Sequence, residues 1–143
     1  MTLSAATINN YQQAEPLFGG ISLSYAVAVD IIYRGAAVMV NSSGYLAPCS
    51  NTSSQGFVGF AQETVDNSAG SAGDLRCDVL VGGYIKLALT SVAITNINDG
   101  VYADSDNTFD YTDSSGQLIG YIVAIPATGT AIVRLNPYPI ATV

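Results

Sequence analysis

Ser24-Tyr25-Ala26-Val27-Ala28-Val29-Asp30-Ile31-Ile32-Tyr33 puts Tyr25, Val27, Val29, Ile31 and Tyr33 on one parity, and Arg34-Gly35 breaks the run. A period of two is the signature of a strand with one buried face. The same period recurs along the chain, and the three-four spacing of an amphipathic helix hardly occurs. Ala36 to Val40 predicts the next strand, Asn41-Ser42-Ser43-Gly44 a turn, Tyr45 to Ala47 a short return, and Pro48 its stop. Phe57 to Ala61 predicts a strand, and Asp66 to Asp74 a loop of small, turn-forming residues. Leu75, Cys77, Val79 and Val81 then alternate with Arg76 and Asp78, the pattern of a half-buried strand.

Gly82-Gly83 predicts a hairpin or a bulge before a strand from Tyr84 to Leu89. Thr90 to Asp99 has weak strand or single-turn helical character, and Gly100 to Ala103 resumes strand. Asp104 to Ser115 is polar, with Phe109 and Tyr111 at alternate positions, so a loop holding one short strand is expected. Leu118 to Ile125 and Thr130 to Leu135 close the chain as apolar strands around Pro126-Ala127-Thr128-Gly129. The sum is an all-β domain, a small barrel or sandwich, over residues 24–143.

An internal echo runs through these strands. Gly56-Phe57-Val58-Gly59-Phe60-Ala61 resembles Gln117-Leu118-Ile119-Gly120-Tyr121-Ile122, with the central glycines 61 residues apart. Each is preceded by a glycine-initiated strand and a Ser-Ser turn, at Gly35 with Ser42-Ser43 and at Gly100 with Ser114-Ser115, the strand starts lying 65 residues apart. Glycine inside a strand marks a bulge or bend, so two sheet corners made in the same way are expected. Residues 1–23 lack this alternation and end in Gly19-Gly20 ahead of the first strand; they read as an extended arm with Tyr11, Leu17 and Phe18 as apolar anchors, or as a frayed terminus.

Composition narrows the chemistry. The 143 residues carry 4 Lys+Arg against 11 Asp+Glu, a net charge of -7, with 10% charged and 49% hydrophobic residues and a mean hydropathy of +0.35. So apolar a chain folds. Arg34, Arg76, Arg134 and Lys86 are too few and too scattered for a phosphate-binding stripe, so no nucleic acid is expected as partner. Apolar runs are far shorter than a membrane span, and the first ten residues lack the basic and apolar regions of a secretory signal, so no membrane partner and synthesis in cytoplasm are expected.

No histidine exists to serve as general base or metal ligand. Asp99, Asp104, Asp106, Asp110 and Asp113 invite a calcium loop, yet counted from Asp104 the sixth position is Phe109 and the twelfth Ser115, where glycine and glutamate belong; a solvated polar hairpin is expected instead. Gly70 to Gly73 lacks the Lys-Ser/Thr of a phosphate cradle. Glu15, Asp30, Glu63, Asp66, Asp74 and Asp78 are carboxylates that a glycosidase pair would draw on, but the chain has no Trp and little length for a sugar cleft. No catalysis, cofactor or metal is expected. Cys49 and Cys77 are too far apart in sequence for a CxxC site; buried free thiols are expected, with one disulfide as the alternative.

The run from Gly56 to Gly70, then Gly73-Asp74, Leu75 to Val81 and Gly82-Gly83-Tyr84-Ile85-Lys86-Leu87, resembles the phage capsid cement family catalogued as domain of unknown function 2190. Gly100-Val101-Tyr102-Ala103-Asp104, Leu118 to Ala124 and Ile132 to Asn136 continue the resemblance, which covers about residues 30 to 137. It implies a β-tulip-like fold similar to the head decoration proteins of lambda-like phages, a homotrimer, and the major capsid protein as partner on the outer surface of the virion. The arm departs from the family core; Tyr11, Leu17 and Phe18 are the residues expected to contact the capsid. Acidity suits a protein on the outside of a DNA container. A head fibre or tail-tube-like component, and a carbohydrate-binding or enzymatic β-domain, are the alternatives.

Overall fold

In the computed structural model, which describes residues 20–51, 56–112 and 116–135, the alternating stretches become strands and no α-helix forms among the described residues. The first half contributes β1 (Ile21–Ala26), β2 (Ile31–Ile32), β3 (Ala37–Val40), β4 (Leu46–Pro48), β5 (Gly56–Ala61), β6 (Val65–Asp66) and β7 (Arg76–Gly82). The second contributes β8 (Tyr84–Ala88), a 3-10 turn at Ile94–Asn96, β9 (Gly100–Ala103), β10 (Phe109–Asp110), β11 (Gln117–Ala127) and β12 (Thr130–Leu135). The protein is all-β, and its curled sheets form a half-barrel.

Two five-stranded sheets hold most of the strands, one in the order β1-β7-β5-β3-β4 and the other β10-β9-β11-β12-β8, every neighbouring pair antiparallel. With β2 and β6 set aside, the orders are identical: in each half the first strand pairs with the last, the last with the fourth, the fourth with the second, and the second with the third. The likeness reaches individual residues. Val38 faces Gly59 and Met39 faces Phe57, so Val58 bulges; Val101 faces Gly120 and Tyr102 faces Leu118, so Ile119 bulges. A Cβ on Gly59 would stand 2.0 Å from the Leu80 carbonyl oxygen, and one on Gly120 would stand 2.1 Å from that of Arg134. Both strands pass too close to their neighbours for any side chain there.

The turns repeat as well. The Gly35 and Ala61 amides donate to the Ala61 and Ala36 carbonyls at 2.8 and 2.9 Å, as those of Asn98 and Ile122 donate to Ile122 and Asp99 at 2.8 and 3.0 Å. Gly35 has φ +90° and Asn98 φ +81°, and Asn is one of the few side chains that tolerates this left-handed region. This corrects the echo seen in sequence: the counterpart of Gly35 is Asn98, 63 residues on, while Gly100 corresponds to Ala37. The turn closed by Asn41 N–H on Tyr45 C=O corresponds to that closed by Asp104 N–H on Thr108 C=O. Ser114 and Ser115 lie outside the described residues.

Other expectations are corrected. The run from Ser24 to Tyr33 is not one strand. β1 begins at Ile21, inside the segment assigned to the arm, and ends at Ala26; the chain then bends, and β2 pairs with β6. The buried Asn67 side chain causes the bend, donating to the carbonyls of Val27 and Ala28 at 3.1 Å and of Ser71 at 3.0 Å, so these groups no longer need a strand partner. Parity is lost with it: Ile32 is fully buried while Val29 is 54% exposed. Pro48 does not stop β4 but is its last residue, opposite Val38, which an edge strand permits. Gly82-Gly83 is no hairpin. β7 and β8 belong to different sheets, and Gly83, at φ +104°, is the single residue between them. The polar stretch after β9 is not wholly solvated, since Ser105 and Asp106 are buried and the Asp106 carbonyl accepts from the Ala37 amide at 2.9 Å.

The main core lies between the two sheets. Ala37, Met39, Phe57, Phe60 and Leu80 from the first pack against Ile85, Val101, Ile119, Ile122 and Val133 from the second. Phe60 meets Phe57 edge-on and Phe109 of the second half at a tilt, both with centroids 5.8 Å apart. The opposite face of the first sheet, with Val38, Ala61, Cys77 and Val79, is covered by Ile32 and Val65 of the β2-β6 ladder. That ladder has no counterpart in the second half, whose corresponding face is already covered by the first sheet.

Candidate functional site

The halves pack front to back, and this ordering creates an uncovered surface. Call the face of the first sheet that enters the main core its front. By the equivalent registers, Ala37, Met39, Phe57, Phe60 and Leu80 correspond in the second sheet to Gly100, Tyr102, Leu118, Tyr121 and Arg134. The second sheet enters the core with its back face, so these five positions turn outward. Met39, Phe60 and Leu80 of the first half become Tyr102, Tyr121 and Arg134 in the second, as solvent contact requires, while Phe57 becomes the partly buried Leu118.

Register lines up the surface. Tyr84 of β8, Arg134 of β12, Tyr121 of β11 and Gly100 of β9 form one row across four strands. The next residues along β8 and β12 pair Lys86 with Ile132. Tyr102 lies across Gly100, its hydroxyl 3.1 Å from where a Cβ would be. Tyr121 is 45% and Val123 37% exposed, among the largest exposed apolar side chains described. The face thus joins three tyrosines, branched aliphatics and two of the chain's four basic residues. Tyrosine and arginine over an apolar floor are what the centres of protein–protein contacts are made of.

Tyr11, Leu17 and Phe18, the expected capsid contacts, lie outside the described residues. Of the carboxylates weighed for catalysis, Asp30, Glu63, Asp66 and Asp74 accept from backbone amides, and Asp78 stands on the exposed side of β7. Asp30 accepts from the Ile31 amide, Glu63 from the Asp78 amide, Asp66 from the Ser68 amide and Asp74 from the Ser71 amide. The Ser68 hydroxyl and amide hold the Asp66 carboxyl below its usual range. Glu15 is outside the described residues. No three of Cys, Asp and Glu are grouped to hold a metal ion among the described residues.

Cys49 and Cys77 are free and buried. Burial pushes both thiols up, Cys77 to about 12, with further contributions from Asp106 beside Cys49 and Glu63 beside Cys77. Neither has the lowered pKa of a reactive cysteine. No described helix is long and apolar enough to cross a membrane. The tyrosine face escapes sequence reasoning because its residues alternate just like those of any half-buried strand; only the comparison of the two halves shows which side is uncovered.

No family model matches the chain, and no curated protein matches it.

Proposed function

We propose that the chain is a bacteriophage decoration protein that binds the outer surface of the major capsid protein shell as a homotrimer and stabilises the expanded head. The observation that carries this reading is the ordered resemblance to the capsid cement family, whose runs from Gly56 to Leu87, Gly100 to Asp104, Leu118 to Ala124 and from Ile132 onward are spread over strands of both sheets rather than one loop. Supporting it are the lack of histidine, the use of Asp30, Glu63, Asp66 and Asp74 as backbone acceptors, and an open sheet face suited to a protein partner. Such a module works by contact area and copy number, with no bond made or broken. Tyr11, Leu17 and Phe18 are the proposed shell anchors: an extended arm adds a strand to an exposed capsid edge through main-chain hydrogen bonds. Ordering it costs roughly 1–2 kcal/mol per residue, which several arms on one oligomer offset through avidity.

The test is to quantify the chain by mass spectrometry in purified virions and to place it by antibody labelling in electron micrographs. Hundreds of copies on the outer head are expected. Recovery only from infected-cell lysate, or from inside the head, would overturn the proposal.

A further inference from the structure

We propose that the uncovered front of the second sheet is where a second copy of this chain docks, head to tail, so that the front-to-back order of the two halves continues from molecule to molecule. The inference rests on the reading that copies associate, and not on the shell as partner.

The chain itself supplies the precedent. The same face of the same five-strand unit, in the first half, has another unit laid on it to form the main core. The outward face cannot receive the second back from another copy, because the first sheet covers it, and β2-β6 covers only part of the first back. What a second copy offers is the side of the first back that this cover leaves open, together with the bend beside it. There Leu23, Val29 and Leu75 are 52%, 54% and 43% exposed, large apolar groups with no use within one molecule. Leu23 is opposite Val79 on one side of the sheet, the Val27 amide donates to the Leu75 carbonyl further along the same ladder, and Val29 follows Val27 by two residues.

Charge matches the two ends. The docking face carries Lys86 and Arg134 on β8 and β12 against one acid, Asp110 opposite Tyr102 at its far edge, in a chain of net charge -7. The opposite end carries Asp30 beside Val29, Asp66 opposite Ile31, and Asp74 beside Leu75. Two docking faces brought together by a two-fold axis would instead set Arg134 and Lys86 of one copy against those of the other, a like-charge arrangement that disfavours the pairing. A head-to-tail contact is heterologous, so a closed assembly is a ring of three or more copies and not a two-fold dimer.

The experiment measures the mass of the full chain in solution by light scattering and sedimentation, and uses one variant at each end. Tyr121→Glu breaks the head and Val29→Lys breaks the tail; Val123→Glu and Leu75→Lys are second variants at the same ends, for use if circular dichroism shows that a first one has not folded. Wild-type chain is expected to form a closed oligomer of three or more copies. Each variant alone is expected to lose at least about tenfold in self-association. An equimolar mixture of the two is expected to give a one-to-one pair that grows no further, because one intact head meets one intact tail. An oligomer unchanged by Tyr121→Glu overturns the docking face and leaves the homotrimer reading standing. A monomeric wild-type chain overturns both. A two-fold dimer broken by Tyr121→Glu but indifferent to Val29→Lys replaces head-to-tail with face-to-face contact and overturns the proposal.

Discussion

Replacing Gly59 with alanine tests whether the close approach of β5 to β7 is a packing requirement. The new methyl would stand 2.0 Å from the Leu80 carbonyl oxygen and 2.8 Å from both its carbon and Val79 Cγ1, where ordinary contact begins at 3.4 Å. Relief requires the strands to part by about 1.4 Å, the difference between those two oxygen distances. Overpacking of this kind costs roughly 1–3 kcal/mol, and each ladder hydrogen bond lost to the movement adds about 1 kcal/mol. With two bonds lost the total is about 3–5 kcal/mol. At a denaturant slope of about 2 kcal/mol/M in urea, the unfolding midpoint falls by about 2 M. Gly120→Ala should match it, since its methyl would stand 2.1 Å from the Arg134 carbonyl oxygen. Gly44 is the control, with φ +90° and no atom within 4 Å of a new methyl. Gly44→Ala pays only the left-handed backbone penalty of about 1–2 kcal/mol, or roughly 0.5–1 M. Urea titration followed by tyrosine fluorescence and far-ultraviolet circular dichroism measures all three. A Gly59→Ala midpoint no lower than that of Gly44→Ala would refute the packing argument, and a Gly120→Ala midpoint far from that of Gly59→Ala would refute the equivalence of the halves.

Cys49 bears on pH dependence. Its folded pKa is raised, so its stabilisation is full below the unfolded value of 9.0 and is lost as pH rises beyond it, at up to about 1.4 kcal/mol per pH unit. Cys49→Ala should flatten the fall in urea midpoint between about pH 9 and 10.5, and an unchanged slope would contradict burial of the thiol. Thiol reagents at neutral pH should find no reactive cysteine in the native chain and two in urea; fast labelling of native chain would contradict it too. Deletion of residues 1–19, which stops short of β1, should leave folding and self-association intact and strongly weaken binding to expanded heads; equal decoration by the truncated chain would show that the arm is not the shell contact.

The fold class was legible because period-two runs such as Leu75 to Val81 and Thr130 to Leu135 are written locally. What escaped depends on partners distant in sequence. Asn67 takes the carbonyls of Val27 and Ala28 from 40 and 39 residues away, so alternation through Tyr33 carried no sign of the break. The glycine echo marked the two bulges correctly. The interval between equivalent residues then drops from 61 at Gly59 and Gly120 to 54 at Leu80 and Arg134, because a long loop between β5 and β7 becomes a tight turn at Thr128-Gly129 between β11 and β12. A drifting interval hides a repeat from any fixed-period reading. The docking face was illegible for a further reason: Tyr84, Tyr102 and Tyr121 stand on three strands, and only the registers bring them onto one surface.

Gly83 alone joins the last strand of one sheet to the first strand of the other. A connection that short forbids the halves from behaving as beads on a string, and Phe60 and Phe109 share a ring contact across the boundary. Neither sheet can melt while its neighbour stays ordered, since each supplies one wall of the same interior. Denaturation is therefore expected to be all-or-none, despite an architecture made of two similar units. The same shortness makes Gly83 the natural hinge for an exchange: were it to straighten, the second half of one chain would fold onto the first half of another, and two molecules would be interlocked by contacts each already makes alone.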